Sequence, residues 1–220
     1  MSAPTWPGLT TRLVGGHDLT GDEIRWAMSE VFQGAASPVQ VAGFAVALRS
    51  KGETVEELGA MAEVMQEYAT PISLDQEAVD VVGTGGDRAN TVNISTMAAI
   101  TAAAAGARVV KHGSRAASSA CGTADVLEQV GVVLDLPPQA QQQVMDQAGL
   151  VFLFAARYHA ALRHVAQVRR ELAISTTFNF LGPLANPARP KAQAIGVADP
   201  RMAPLMAGVL AERGARGLVF

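Results

Sequence analysis

The spacing of apolar residues changes at Pro71, and this change constrains the fold more than any other feature of the 220-residue chain. Before Pro71 the apolar residues recur at helical spacing. After it they come in short runs, of which 78–82 is the first, that break into loops rich in glycine or polar residues. Short strands that alternate with helices are typical of a mostly parallel sheet. We therefore predict an α/β protein, with a small helical domain over 1–72 and a larger α/β domain over 73–220.

The N-terminal third carries three signals for the start of a helix. Two are capping boxes and one is a serine followed by proline, at Thr20-x-x-Glu23, Thr54-x-x-Glu57 and Ser37-Pro38. They predict helices over 21–33, 39–51 and from 54 to a point before Pro71.

Beyond Pro71 the pattern predicts six strands, over 78–82, 107–111, 132–136, 150–154, 193–197 and 217–220. It predicts helices between them, over 95–106, 124–130, 137–147, 158–172 and 201–213. The last run resembles the opening of a buried strand, and parallel sheets place their ligand sites just beyond the carboxyl ends of strands. We therefore expect the complete protein to continue past Phe220, so that the α/β domain here is incomplete.

Composition excludes several classes of protein. Seventeen basic against twenty acidic residues give a net charge of −3, which argues against nucleic-acid binding. The one cysteine, Cys121, cannot form an internal disulfide and supplies no paired zinc spacing. The longest apolar stretch, 97–106, is shorter than the ~20 residues that cross a bilayer, and no export signal is present. We expect a cytoplasmic protein with no membrane partner.

Two segments after the first predicted strand suit an anion. The first is a glycine-rich loop that lets backbone N–H groups approach a phosphate: Gly83, Thr84, Gly85, Gly86 and Asp87. The second offers an amide and two hydroxyls at a helix N-terminus: Asn93, Ile94, Ser95 and Thr96. A tight turn and a plain N-cap are the alternatives for each segment taken alone. Together they point to a ligand of pyrophosphate size.

A third segment leaves the second strand with two cations, three serines and small residues: Lys111, His112, Gly113, Ser114, Arg115, Ala116, Ala117, Ser118 and Ser119. A solvated loop is the alternative, but the small residues favour close approach of backbone to a ligand. Asp125 and Glu128 in the next helix are candidate metal ligands, with ordinary helix charges as the favoured alternative.

The fourth segment contains Arg169 and Arg170, either of which has the planar fork that binds a carboxylate. A surface arginine is the alternative for both. No nucleophile motif of the Gly-x-Ser-x-Gly or His-Glu-x-x-His type occurs.

In their order along the chain, these segments resemble the anthranilate phosphoribosyltransferases, which join anthranilate to phosphoribosyl pyrophosphate (PRPP) in tryptophan biosynthesis. The resemblance is carried by the segment 47–52 and four ordered motifs, which begin at Asp80, Asn93, Lys111 and Leu181. It implies a nucleoside-phosphorylase-like fold and a homodimer joined through the helical domains. The helix over 158–172 is then expected to pack back onto the small domain.

The resemblance also implies roles for individual residues. PRPP is expected to contact the glycine loop, Thr91, the segment 93–96, the segment 111–119 and Thr123, with Ser95 also a ligand of Mg²⁺. Anthranilate is expected near Gly83 and Ser114, with its carboxylate on Arg169. Lys111 and Arg169 are the expected catalytic groups.

Two departures and two alternatives accompany the resemblance. The family usually has asparagine where Ser114 stands, and its acidic magnesium ligands lie beyond the strand that 218–220 would begin. A pyrimidine nucleoside phosphorylase of the same fold is one alternative function. A non-catalytic fragment that binds PRPP or assembles with partner subunits is the other.

Overall fold

A computed structural model describes residues 3–87, 92–116 and 121–220. Its centre is a five-stranded sheet in which all neighbouring strands are parallel, in the order β3-β2-β1-β4-β5. The strands are β1 Val79–Gly83, β2 Val109–Gly113, β3 Leu150–Phe154, β4 Ala192–Gly196 and β5 Arg216–Val219. The predicted fold class, a helical unit beside a parallel α/β unit, is confirmed.

Helices flank the sheet and precede it. In the N-terminal part they are α1 Trp6–Val14, α2 Gly21–Phe32, α3 Pro38–Lys51 and α4 Val55–Glu67. In the remainder they are α5 Ile94–Ala104, α6 Thr123–Gln129, α7 Pro138–Ala148, α8 Ala155–Tyr158, α9 Arg163–Leu172, α10 Leu181–Leu184 and α11 Met202–Glu212, with 3₁₀ turns at Ala160–Leu162 and Thr177–Asn179. No helix in the described ranges is long and apolar enough to span a bilayer.

The three predicted helix starts form as the sequence indicates. In α2, for example, the Thr20 hydroxyl accepts a hydrogen bond from the Glu23 N–H, and the Glu23 carboxylate accepts one from the Thr20 N–H at 2.9 Å. Helix α1 was not predicted, although Thr5 caps it and Trp6 packs its ring 5.3 Å from that of Trp26.

The two faces of the sheet are covered by different helices. One face presents Val82 and Ile195. These two residues belong to one continuous apolar core together with residues of helices α1, α2, α3, α4, α9, α10 and α11. Val165 and Val168 of α9 lie in that core, so α9 packs against the helices of the N-terminal part. The opposite face carries Lys111 and is covered by α5 and α6.

Two sequence predictions need correction. Residues 132–136 are not a strand: Val132 and Val133 are exposed, and only Leu134 is buried, in a small cluster with Phe152. The edge position of the sheet is already taken by β3, which pairs with β2. The predicted helix over 158–172 is interrupted at His159, whose backbone leaves helical geometry (φ −115°, ψ 56°) where its ring is buried.

The ring of His159 meets that of His112, with centroids 5.0 Å apart. Both residues are buried, and the His112 Nδ1–H donates a hydrogen bond to the Gly182 carbonyl oxygen at 3.2 Å. Burial lowers the pKa of His112 to about 3 and that of His159 to about 4. Both rings are therefore neutral in the folded chain at pH 7.

We expect the free energy of unfolding to fall as pH is lowered from 7.5 to 5.5. The unfolded chain binds protons on His112 and His159 near pH ~6.5, and the folded chain does not, so each ring removes up to about 1.4 kcal/mol per pH unit. Asp80, whose pKa burial raises to about 6, acts in the opposite direction at the lower end of this range. Urea unfolding of His159→Gln should show a flatter pH dependence, whereas the exposed-site variant His17→Gln should match wild type; equal slopes in all three proteins would contradict the assignment.

Candidate functional site at the carboxyl ends of β1 and β2

The glycine loop, residues 83–87, leaves the carboxyl end of β1 and is anchored to β4. The Thr84 N–H donates to the Gly196 carbonyl oxygen at 2.9 Å, and the Thr84 hydroxyl accepts from the Ala198 N–H at 3.1 Å. Gly85 and Gly86 have φ of +66° and +83°, the left-handed region that favours glycine. The loop is therefore a fixed turn with its outer side open to solvent, as a phosphate cradle requires.

The N-terminus of α5 lies after this loop and is capped by Asn93. The Asn93 side-chain oxygen accepts from the Thr96 N–H at 3.3 Å and also from the Thr96 hydroxyl. The Thr123 hydroxyl, at the start of α6, donates to the same oxygen at 3.5 Å. Asn93 thus joins the N-termini of two helices, which are the ends that attract anions. The Ile94 side chain is exposed.

Lys111 on β2 is the central charge of the site. Its residue surface is only 1% exposed, yet its Nζ reaches the Val81 carbonyl oxygen at 2.6 Å and the Ser95 hydroxyl at 3.0 Å. Burial lowers the pKa of Lys111 to about 8, and the negative charge of Asp80 opposes that shift. The ammonium is therefore charged at pH 7 and is held beside the N-terminus of α5.

Asp80, on β1, is a buried carboxylate whose negative charge interacts with the positive charge of Lys111. Its carboxylate accepts hydrogen bonds from the Asn186 side chain at 2.9 Å and from the His112 N–H at 3.2 Å. Asn186 also donates to the Val110 carbonyl oxygen at 2.8 Å, so it ties β1 to β2. Burial raises the pKa of Asp80 to about 6, and these hydrogen bonds with the Lys111 charge oppose the shift. Asp80 is therefore ionised at pH 7.

Acidic residues of α6 hold the described residues at the two ends of the loop after β2. The Asp125 carboxylate accepts from the Ala116 N–H at 3.0 Å and the Gly122 N–H at 2.8 Å, which lowers the pKa of Asp125. Arg115 pairs with Asp125 and Glu128 at 3.0 and 2.8 Å. These two carboxylates are thus engaged in holding the loop rather than grouped as metal ligands.

Other predicted site residues differ in how they face the site. The His112 ring lies on the opposite face of β2 from Lys111, so only its backbone borders the loop. The Ser114 hydroxyl donates to the Arg115 carbonyl oxygen at 2.9 Å. Gly113 lies against Thr123, where an added Cβ would be 3.3 Å from the threonine Cβ. Four predicted residues, Thr91, Ala117, Ser118 and Ser119, fall outside the described residues.

Arg169 lies in the last turn of α9 and is partly buried. Burial lowers the pKa of this arginine, and no residue in the described part of the chain forms a hydrogen bond or ion pair with its guanidinium. Arg170 beside it is exposed. A half-buried guanidinium without a carboxylate is suited to an acidic ligand, since desolvated charges are stabilised by a partner. The structure thereby distinguishes two arginines that the residue pattern alone left equivalent, and it favours the one that the resemblance implies.

A metal site is not built by the acidic residues that the structure describes, because no group of three His, Cys, Asp or Glu side chains lies together there. Ser95, the residue expected to bind Mg²⁺, offers one hydroxyl oxygen beside Lys111. Such a site fits Mg²⁺ only when phosphate oxygens and water complete its six ligands.

Comparison with known families accords with this geometry. Residues 7–69 match the helical bundle domain of a glycosyl transferase family, and residues 75–220 match the a/b domain of the same family. The chain belongs to this glycosyl transferase family. The boundary between the two matches lies within the segment around Pro71 where the sequence pattern changes.

Three individual proteins to which the chain is similar are anthranilate phosphoribosyltransferases. The anthranilate phosphoribosyltransferase of Arthrobacter sp. (strain FB24) is 59% identical over 98% of this chain and 61% of that protein. The crystal structure of anthranilate phosphoribosyltransferase from Thermus thermophilus matches with a TM-score of 0.90 and 45% identity, over 96% of this chain and 64% of that one. The Saccharomyces cerevisiae enzyme in complex with PRPP and Mg matches with a TM-score of 0.87 and 26% identity, over 97% and 64%.

The resemblance predicted from the sequence motifs is therefore confirmed. The chain spans about three fifths of the length of the curated relatives that it matches. Sequence reasoning missed the part played by Asp80 and Asn186 in this site. A signal for Asp80 was present, because a lone carboxylate in the apolar run 78–82 must be buried with partners. Asn186 carried no such signal, since Asn186-Pro187 suggests only a turn.

We expect Gly122→Ala to displace the loop after β2. An added Cβ would lie 2.3 Å from the Ala116 nitrogen and 2.6 Å from the Arg115 carbonyl carbon, both backbone atoms. Thermal unfolding should show a loss of at least about 1 kcal/mol, the scale of overpacking. The control is Gly59→Ala in α4, where the nearest atom to an added Cβ would be a Val209 methyl carbon at 3.8 Å, and it should stabilise by about 0.5–1 kcal/mol. Equal stability of both variants would show that the loop does not approach Gly122 so closely.

Proposed function

We propose that this chain binds PRPP at the carboxyl ends of β1 and β2 and acts in transfer of its phosphoribosyl group to the amine of anthranilate. The products are N-(5-phosphoribosyl)anthranilate and pyrophosphate, formed in tryptophan biosynthesis. The observation that carries the proposal is the buried Lys111 ammonium, held between the Val81 carbonyl and the Ser95 hydroxyl. The names of the chain's relatives support the same reaction.

The arrangement suits a leaving pyrophosphate. Cleavage of the bond between ribose C1 and pyrophosphate moves negative charge onto the leaving oxygen, and donors fixed in advance stabilise that charge. Backbone N–H groups of the glycine loop, the N-terminus of α5 and Lys111 are such donors. Lys111 has little freedom to move because its surroundings exclude solvent, so little reorganisation is needed as charge develops.

Magnesium is the proposed inorganic cofactor, and a relative binds it together with PRPP. Ser95 is the residue of this chain that we assign to the ion, with phosphate oxygens and water as the other ligands. When bound, Mg²⁺ would neutralise part of the pyrophosphate charge.

The acceptor side rests on Arg169. Its guanidinium, with which no described residue pairs, is proposed to bind the anthranilate carboxylate, with Gly83 and Ser114 near the ring. The aromatic amine is uncharged near pH 7, so orientation of the acceptor matters more than removal of a proton before attack. A catalytic triad is not needed for this reaction.

We also propose that the protein works as a cytoplasmic homodimer, joined through its helical domain. Two valines on the outer side of α3 support this assignment, because Val39 is 81% and Val46 36% exposed. Apolar side chains exposed on one helix face are typical of a subunit interface.

We expect Lys111→Met to weaken PRPP binding about 10- to 100-fold, because loss of a hydrogen bond from a charged group costs roughly 1.5–3 kcal/mol. Calorimetric titration with PRPP and Mg²⁺ measures the effect. The control Lys191→Met removes an exposed lysine that pairs with Glu77 at the amino ends of β4 and β1, away from the proposed site. This variant should bind PRPP like wild type. A folded Lys111→Met protein with wild-type affinity would refute the proposed site.

Arg169→Ala should weaken anthranilate binding by a similar factor, about 10- to 100-fold, and leave PRPP binding unchanged. Anthranilate fluorescence, titrated without PRPP so that no turnover occurs, gives the first value, and calorimetric titration with PRPP and Mg²⁺ gives the second. Arg170→Ala is the matched control, since it removes the neighbouring exposed arginine. An equal effect of the two substitutions would remove the carboxylate assignment from Arg169.

A further inference from the structure

A second buried carboxylate, Glu53, lies where the helical part meets the α/β part. Glu53 follows α3, and its side chain has no exposed surface. The Glu53 carboxylate accepts a hydrogen bond from the Thr177 hydroxyl at 2.7 Å and another from Arg201 Nη2 at 2.9 Å. A buried carboxylate needs such partners because its desolvation is costly.

Arg49 completes the group that surrounds Glu53. Its guanidinium lies 3.6 Å from the Glu53 carboxylate, pairs with Asp199 and stands 5.3 Å from the centre of the Phe180 ring. We call Arg49, Glu53, Thr177, Asp199 and Arg201 the interdomain cluster. It holds two positive and two negative charges.

The interdomain cluster continues into the glycine loop through the connection from β4 to α11. Asp199 and Arg201 belong to that connection, and the Asp199 carboxylate accepts from the Arg201 N–H at 3.0 Å. Ala198, in the same connection, donates its N–H to the Thr84 hydroxyl at 3.1 Å. A short path of hydrogen bonds therefore runs from the end of α3 to the loop that cradles the proposed ligand.

We propose that Glu53 is a positioning residue for the glycine loop, acting through Arg201 and the Ala198 N–H on Thr84. In the described part of the chain, the hydrogen bonds and ion pairs of Glu53 go to Arg49, Thr177 and Arg201, and none of these is a proposed ligand-binding residue. It fixes the connection from β4 to α11 against the helical part, and the connection fixes Thr84. The consequence for PRPP affinity rests on the proposed function, whereas the mechanical link to the loop does not.

The link is tested in the absence of ligand by hydrogen–deuterium exchange at the Ala198 amide. We expect Glu53→Gln to accelerate exchange there about tenfold, and Thr84→Val, which removes the accepting hydroxyl, to do the same. Thr84→Ser retains the hydroxyl and should preserve protection. The matched control is Glu77→Gln, because Glu77 also pairs with two cations, Lys191 and Arg216, but at the amino ends of the strands.

PRPP titration of the same proteins gives the second readout. Glu53→Gln should weaken PRPP binding about five- to tenfold, and the double variant with Arg201→Gln should be no weaker than the worse single variant, because both act on one path. Additive losses would overturn the path. Arg201→Gln, at a half-exposed side chain, is a second variant should Glu53→Gln fail to fold, and the same results are expected of it.

The two proposals fail in different ways. Unchanged exchange at Ala198 in a folded Glu53→Gln or Arg201→Gln protein would overturn the positioning role, whatever PRPP does. Faster exchange in a chain whose wild type binds no PRPP would uphold the positioning of the loop and overturn the proposed function.

Discussion

The site depends on one physical arrangement, the burial of Lys111 and Asp80 on adjacent parallel strands. Each charge is costly to remove from water, and the attraction between the two charges offsets part of that cost. Burial lowers the pKa of Lys111 to about 8 and raises that of Asp80 to about 6, so both groups are charged at pH 7. Asn186 joins β1 to β2 through Asp80 and Val110. The Val81 carbonyl and the Ser95 hydroxyl hold the Lys111 charge beside a glycine loop and a helix N-terminus, which is an environment suited to phosphate.

The parallel topology explains why these groups meet. Strands β1 and β2 are parallel neighbours, so the loops at their carboxyl ends lie side by side. The helices that follow the two loops begin there. Asn93 bonds to residues at the start of both helices, Thr96 and Thr123. The helical part is not a separate body, because its core continues onto one face of the sheet through Val82 and Ile195. The position of Arg169 on α9 and the position of the glycine loop are consequently set by the same packed core.

Local patterns predicted what is local. Capping boxes located α2 and α4, and the apolar run 78–82 located β1 to within a residue. The prediction of a strand over 132–136 was wrong. A short apolar run resembles a strand in the sequence, but here β3 already pairs with β2 at that edge of the sheet. Glu53 and Asn186 could not be assigned from sequence, because their partners, such as Thr177 at 2.7 Å from Glu53 and Asp80 at 2.9 Å from Asn186, lie over a hundred residues away. His112 appeared to belong to the site, but its place in a strand turns its ring to the other face.

We propose that the 220-residue chain contains a preformed PRPP site in which magnesium is held mainly by the ligand. The most direct measurement is calorimetric titration of this chain with PRPP, with and without Mg²⁺, and with Mg²⁺ alone. We expect saturable PRPP binding that Mg²⁺ strengthens, and no saturable binding of Mg²⁺ by itself. Absence of PRPP binding by the folded chain in the presence of Mg²⁺ would contradict it.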